Sequence, residues 1–276
     1  MKFGISMWSF VTEYHKGNMT VEQFLAYASE HGYDFVELLD YFWKDAGTDI
    51  PHARAAAKRH GIEIGVYSIG NDFAHADVEE RRKAIAYVKR GVNEAAEIGA
   101  PVLRIFGGSP KPGLDFARTK PWFLDALREC ATHAAGSKIT LAMENHGTLS
   151  GRSAQILELI REVNSPWFRA TADTGNFLLV DEKPLDAIQH LAPYIAHVHC
   201  KDFAAIKKEI PSEVSTSLEG KKYRGCAIGE GAAQIGPIIT FLKQRAYNGP
   251  ISLEYEGITD PNAGVAQSQK FVKQHL

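Results

Sequence analysis

Eight short apolar runs punctuate the chain, beginning near Phe3, Phe35, Ile62, Val102, Ile139, Phe168, Ile195 and Ile251. Each is rich in Val, Ile, Leu and Phe, and each is followed by a stretch whose apolar positions recur with helical spacing. The pattern predicts eight strands alternating with helices. Segments such as TVEQFLAYASE, VEERRKAIAYVKRGVNEAAEI and TKPWFLDALRECATHAA place apolar residues three and four apart with charges between them, as helices covering a sheet do. The lead-ins repeat as well. SEHGYDFVELL, KRHGIEIGVYS, AEIGAPVLRIF and RAYNGPISLEY each read as a helix end, a glycine and a strand. Glycine just past a helix terminus supplies a left-handed cap and stops the helix.

Strands that alternate with cover helices form a parallel sheet. Eight such units in 276 residues favour an α/β fold of one closed (β/α)8 TIM barrel, a single domain over residues 1–276, rather than two doubly wound domains. At 45% hydrophobic composition the chain can bury a large core, and no Ser/Pro-rich linker divides it. One irregular segment, from about 203 to 235, interrupts the alternation after the seventh strand. Its length and its place on the face where the strands end mark it as a lid over that face or as an ordered surface excursion.

The 31 Lys and Arg against 33 Asp and Glu leave a formal charge of -2 with no long run of either sign, so nothing asks for nucleic acid or another polyanion. The three cysteines are odd in number and lack CxxC spacing. That argues against a disulfide framework or a thiolate zinc site and fits a reducing cytoplasm. The opening MKFGISMWSF has no apolar signal-peptide core, and no segment is long enough to span a bilayer, so no membrane partner is expected.

Four metal-capable side chains stand at or next to the downstream ends of predicted strands: Glu144 in LAMEN, Asp173 in RATAD, His199 in HVHC and Glu254 in ISLEY. In a parallel barrel all strands end on one face, so these residues share one cavity. Three carboxylates and an imidazole suit a hard or borderline divalent cation, and no thiolate singles out zinc. An acid inside an apolar strand is costly unless it is paired or bound to a cation, so Glu144 and Glu254 need partners. The alternative to a metal is pairing with Arg104 or Arg169. Asp173 could equally cap the helix that follows. His197 shares a face with His199, which lies nearer the strand end and is taken as the ligand.

In their order on strands five to eight, the motifs MENHG, ADTGNF, HVHCKD, GEG and ISLEYEG resemble the xylose isomerase-like barrel superfamily. That group includes sugar isomerases, ketose 3-epimerases, hydroxypyruvate isomerase and inositol-catabolism enzymes, and the similarity spans almost the whole chain. The resemblance implies that Glu144, Asp173, His199 and Glu254 hold one divalent ion, with Mn²⁺ the best match and Mg²⁺ or Co²⁺ also suited. It further implies that Glu144 and Glu254 move protons on a small carbohydrate. An ion chelating a carbonyl and the neighbouring hydroxyl would acidify the C–H between them by stabilising an enediolate. Return of the proton to the adjacent carbon yields an isomer, and return to the opposite face yields an epimer. The same abstraction serves β-elimination, as in the similar inosose and dehydroshikimate dehydratases and 3-keto-glycoside lyases. A sugar-binding barrel without turnover, or a subunit of a larger enzyme, is the reading from another class. A homo-oligomer is compatible with all of these.

Several neighbours are candidates for substrate contact. His146 and Asn176 would reach the barrel mouth, unless they are a solvated loop histidine and a backbone-bonding amide. Arg104 could bind a substrate oxygen or pair with Glu37. Trp8 and Trp43 could stack on sugar C–H faces or pack the rim, and Glu256 could bind a hydroxyl or be a rim charge. Lys201 and Asp202 are expected to support His199 from behind. The GEG at Gly229 to Gly231 could cradle an anion or turn the lid back. No further His and Asp set matches the three-metal site of the similar endonuclease IV, and a second metal as in xylose isomerase is not apparent.

Overall fold

The computed structural model describes every residue except 207–213. Eight parallel strands close into a barrel: β1 (Lys2–Ser6), β2 (Phe35–Leu39), β3 (Glu63–Ser68), β4 (Val102–Ile105), β5 (Thr140–Glu144), β6 (Phe168–Asp173), β7 (Ile195–Cys200) and, after a three-strand excursion, β11 (Pro250–Leu253). Their order around the ring is β1-β11-β7-β6-β5-β4-β3-β2. Each begins within one residue of the position that its apolar run predicts. Amphipathic helices cover the ring, and Val78–Ile98 shows how. Val88, Gly91, Val92, Ala95 and Ile98 form its buried stripe, Asp77 caps its start, and Gly99 ends it at φ 90°.

One lead-in differs from its pattern. Before β11 the left-handed residue is Ala246 at φ 53°, not Gly249. Gly249 is required for proximity instead, since a Cβ there would lie 2.4 Å from the Tyr247 hydroxyl oxygen.

Inside the barrel, apolar packing occupies the floor and polar groups occupy the layers toward the strand ends. Phe35 fills the floor with Val66, Val102 and Ala142. Space for its ring exists because Gly4 and Gly65 flank it, and a Cβ at either would come within 2.6 Å of the ring. Toward the mouth, Glu37, Ser68, Arg104, Thr171, His197 and Ser252 are all buried.

The predicted 203–235 excursion contains a three-stranded antiparallel sheet, β8 (Phe203–Ala205), β9 (Ser215–Thr216) and β10 (Lys222–Gly225), in the order β8-β10-β9. Part of the expected lid, 207–213, lies outside the described residues. Among the described residues no helix is long and apolar enough to cross a membrane.

Candidate metal centre and active site

Pleating decides which side chains meet. Along β7 and just past its end, His197, His199 and Lys201 alternate onto one face, as Ser252, Glu254 and Glu256 do along β11. Glu144 closes β5 and Asp173 closes β6. The four predicted ligands converge on His199 Nδ1, which lies 3.5 Å from Glu144 Oε2, 3.8 Å from Asp173 Oδ2 and 3.6 Å from Glu254 Oε2. All four residues are buried. Glu144, Asp173 and His199 alone place their ligand atoms within 4.8 Å of one another, and Glu254 completes the set from the neighbouring strand.

The orientation of His199 comes from beneath. Its Nε2 lies 2.8 and 3.0 Å from the two carboxylate oxygens of Glu37, and Ser68 donates to the same carboxylate. A carboxylate there keeps the proton on Nε2 and leaves Nδ1 facing the other three acids. Burial raises the Glu37 carboxyl, but His199 and His197 outweigh it and hold the group well below the usual carboxylate range. Because Glu37 is engaged with His199, Arg104 pairs elsewhere. Its Nε is 3.2 Å from Glu144 Oε2, its Nη1 donates to the Ile69 carbonyl at 3.1 Å, and its guanidinium lies over the Phe106 ring. Arg169 bonds the Ser165 and Phe168 carbonyls instead of an acid. His197 is a barrel-layer residue. Burial pushes it down to about 3, so it is neutral, and its Nε2 meets Ser252 Oγ at 2.8 Å. Glu37, His197 and His199 form a second constellation with cation-compatible spacing, but none of them borders the cavity.

Asp173 divides its work between two oxygens. Oδ1 accepts the Asn176 N–H at 2.8 Å, which is the capping role, while Oδ2 faces His199. Asn145 grips the Asp173 backbone from β5, accepting its N–H at 2.7 Å and donating to its carbonyl at 3.0 Å. Asn176 donates to Glu144 Oε1 at 3.0 Å, so it holds a candidate ligand.

Lys201 and Asp202 do not support His199 from behind as expected. The long side chain of Lys201 places its ammonium among the acids, 2.8 Å from Asp173 Oδ2, 2.9 Å from Glu254 Oε2 and 3.4 Å from Glu256 Oε1. Asp202, one residue on, points to the opposite side. Its carboxylate accepts N–H groups from Gly229, Gly231 and Ala233, each at 3.0 Å. That occupies the GEG amides and fastens the excursion to β7. The support for His199 comes from Glu37.

The charge balance fits a divalent cation. Glu37, Glu144, Asp173 and Glu254 are buried against the two buried cations Arg104 and Lys201, which leaves two formal negative charges when the histidines are neutral. His199 Nδ1 is buried without a hydrogen-bond partner, and Asp173 Oδ2 beside it is met by the Lys201 ammonium at 2.8 Å. A buried ring nitrogen left in this way is rare unless something else binds it. Burial lowers His199, but Glu254 and Glu37 raise it well above the usual histidine value, so the site draws positive charge to this ring. Burial pushes Glu254 up to about 7 against the pull of His199 and Lys201. It also raises Glu144, where Arg104 and His199 prevail and hold the carboxyl below its usual range.

The set opens into a cavity of about 280 Å³ bordered by Trp8, Asp40, Tyr41, Arg104, Phe106, Glu144, His146, Lys201, Glu254 and Glu256. Trp8 Nε1 donates to Glu256 Oε1 at 3.0 Å, and the His146 ring lies 4.7 Å from that of Phe106. Trp43 is not part of this wall, because its Nε1 donates to the Tyr67 hydroxyl. A larger cleft of about 520 Å³ beside Tyr14, Lys44 and His52 contains none of the strand-end acids, so the chemistry belongs to the smaller one. No described residue of 203–235 borders that smaller cavity. Glu37 was legible by the same signal as Glu144, an acid inside an apolar strand. Asp40 and Phe106 carried no such signal.

The xylose isomerase-like TIM barrel family matches residues 25–275. The chain belongs to this family. That agrees with the ordered motifs on strands five to eight. It is 26% identical over 200 residues to L-ribulose-5-phosphate 3-epimerase UlaE of Escherichia coli, a match covering 71% of this chain and 65% of that protein. The chain thus spans 65% of the length of the curated relative it matches. Among solved structures, D-allulose 3-epimerase from Methylomonas sp. superposes with a TM-score of 0.80 at 16% identity, covering 100% of this chain and 97% of that one. The probable 3-DHS dehydratase AsbF from Bacillus anthracis gives 0.77 at 20% identity, with 99% of each chain covered. At these identities the structural likenesses establish the fold.

Proposed function

We propose that the protein is a divalent-metal-dependent epimerase or isomerase of a small keto-sugar. The observation that carries this is the convergence of Glu144, Asp173, His199 and Glu254 on one buried set, with His199 Nδ1 unpartnered, beside a cavity of about 280 Å³. These four residues would hold the ion, with Mn²⁺ best suited and Mg²⁺ or Co²⁺ admitted by the same donors. When bound, it supplies a Lewis acid that polarises a carbonyl and acidifies the neighbouring C–H. The epimerase activity named for the UlaE relative supports the same direction.

The chain supplies the proton transfer. Glu144 on β5 and Glu254 beyond β11 reach the cavity from strands separated by β6 and β7, so one carboxylate can take a proton and the other return one. Arg104 and Asn176 hold Glu144, and Lys201 holds Glu254, which limits the motion of each. Arg104, His146, Trp8 and Glu256 border the cavity and contact substrate, whereas Asn176 acts through Glu144. A lid role for the 203–235 excursion is supported only by its departure from β7 beside Lys201, since none of its described residues borders the cavity. The three unpaired cysteines support placement in the cytoplasm.

Incubation of the Mn²⁺-loaded protein with keto-sugars in D₂O should place deuterium on the carbon beside the carbonyl and yield one new sugar, both read by NMR. Glu144→Gln and Glu254→Gln should each lower exchange by about 10²- to 10⁴-fold. Absence of exchange across a broad panel would overturn the assignment. Loss of water or an aglycone in place of a new sugar would select elimination at the same site.

A further inference from the structure

The wall of the cavity opposite the acid cluster determines what kind of sugar fits. β2 stands diametrically across the ring from β6, so Asp40, the first residue beyond β2, borders the cavity across from Asp173. Asp40 is held in place. Tyr87 on the Val78–Ile98 helix donates its hydroxyl to Asp40 Oδ2, and the Gly70 N–H approaches the same oxygen at 3.5 Å. Among the described residues Oδ1 receives no hydrogen bond, so it is free to accept one from a ligand. Glu256 is built in the same way, with Oε1 taken by Trp8 and Lys201.

The cations that border the cavity are already committed to the acid cluster. Arg104 is engaged with Glu144, and Lys201 with Asp173, Glu254 and Glu256. Among the described residues that border the cavity, no cation remains for a phosphate, and the charges of such a group would face the carboxylates of Asp40 and Glu256. A held carboxylate oxygen is instead a strong acceptor for a hydroxyl. Trp8 and Tyr41 add flat apolar surface beside it.

Resting on the function proposed above, we infer that Asp40 and Glu256 read hydroxyl groups on the non-reacting end of the substrate, and that the substrate is an unphosphorylated keto-sugar. Asp40 is the specificity-determining residue, and Tyr87 is its positioning residue. A phosphate ester fails at this end because it brings negative charge where the protein has placed acceptors.

The test uses the full chain loaded with Mn²⁺. D-fructose and L-ribulose are compared with D-fructose 6-phosphate and L-ribulose 5-phosphate, by calorimetric binding and by exchange in D₂O. The free sugars should bind about tenfold or more tightly than their esters. Asp40→Ala should raise KM for the free sugar about tenfold with kcat nearly unchanged, and Asp40→Asn should narrow the gap between sugar and ester. Tyr87→Phe should move KM the same way by a smaller factor. A purely structural role for Asp40 would lower the melting temperature but leave KM and the sugar-to-ester ratio unmoved, and that result overturns the proposal. So does an ester that binds as tightly as its free sugar, or failure of both classes to bind. Free sugars that bind selectively without exchange would remove the catalytic assignment and leave this one standing. Esters that bind and exchange would do the reverse.

Discussion

His199 can serve a cation only with Nδ1 unprotonated, and that depends on Glu37, a residue remote in sequence and in contact with the other ring nitrogen. A carboxylate behind a metal-binding imidazole orients the ring and raises its basicity, and loss of such a partner typically costs about 10- to 100-fold in metal affinity. Glu37→Gln should therefore keep the fold, as circular dichroism can check, and weaken Mn²⁺ binding by that factor in a competition titration. His199→Ala and Glu254→Gln should go further and leave no stoichiometric metal after dialysis. Unaltered metal content by elemental analysis in both variants would remove the ligand assignment. Arg104 and Lys201 illustrate the converse at this scale. Each is a buried cation whose partners decide its meaning, and both are drawn to the acids that form the centre.

At the level of elements, Asp202 anchors the returning end of the excursion between β7 and β11, while Asp181 holds its Ser217–Lys221 turn. Asp202 collects N–H groups from Gly229, Gly231 and Ala233, and removing it leaves the buried Ala233 donor unpaired at about 1–3 kcal/mol, with the two partly exposed glycine N–H groups losing less. Asp202→Ala should thus increase proteolytic cutting within 203–235 while the barrel helices stay protected, as limited digestion with mass spectrometry would show. Gly231→Ala should act alike, because its Cβ would fall 2.1 Å from Asp202 Oδ1. Equal digestion of wild type and both variants would mean that the excursion is held by other contacts. The barrel floor shows the same reciprocity between elements, where Phe35 on β2 has room only because Gly4 and Gly65 stand on the strands beside it.

For the whole molecule, the buried acids have a stability consequence. A ligand that binds only the folded state stabilises it by about 2.7 kcal/mol at a hundredfold excess over its dissociation constant. For a chain of this size that corresponds to a melting-temperature rise of roughly 5–10 °C. Mn²⁺ added to chelator-treated protein should produce such a rise, and Glu254→Gln should largely abolish it. A melting temperature indifferent to the ion in the wild type would argue that Lys201 and Arg104 alone neutralise the cluster.

The eight strands, their cover helices and the convergence of the four strand-end candidates were legible in the chain, because burial on both faces makes a barrel strand an apolar run and makes an acid within it conspicuous. Glycine caps were readable for the same local reason, apart from the one before β11. Partners were not readable. Which residues share a layer depends on register, and β2 against β3 and β6 against β7 each slip by one residue, at Val36/Glu37 and at Ala170/Thr171. Such a slip changes which side chains lie level with one another around the ring. Only closure of the barrel set Glu37 beneath His199, sent Arg104 to Glu144, folded Lys201 into the acid cluster and turned Asp202 away to hold the excursion. Local pattern thus determined what the strands are and where they end, whereas the closed ring decided which of their side chains face one another.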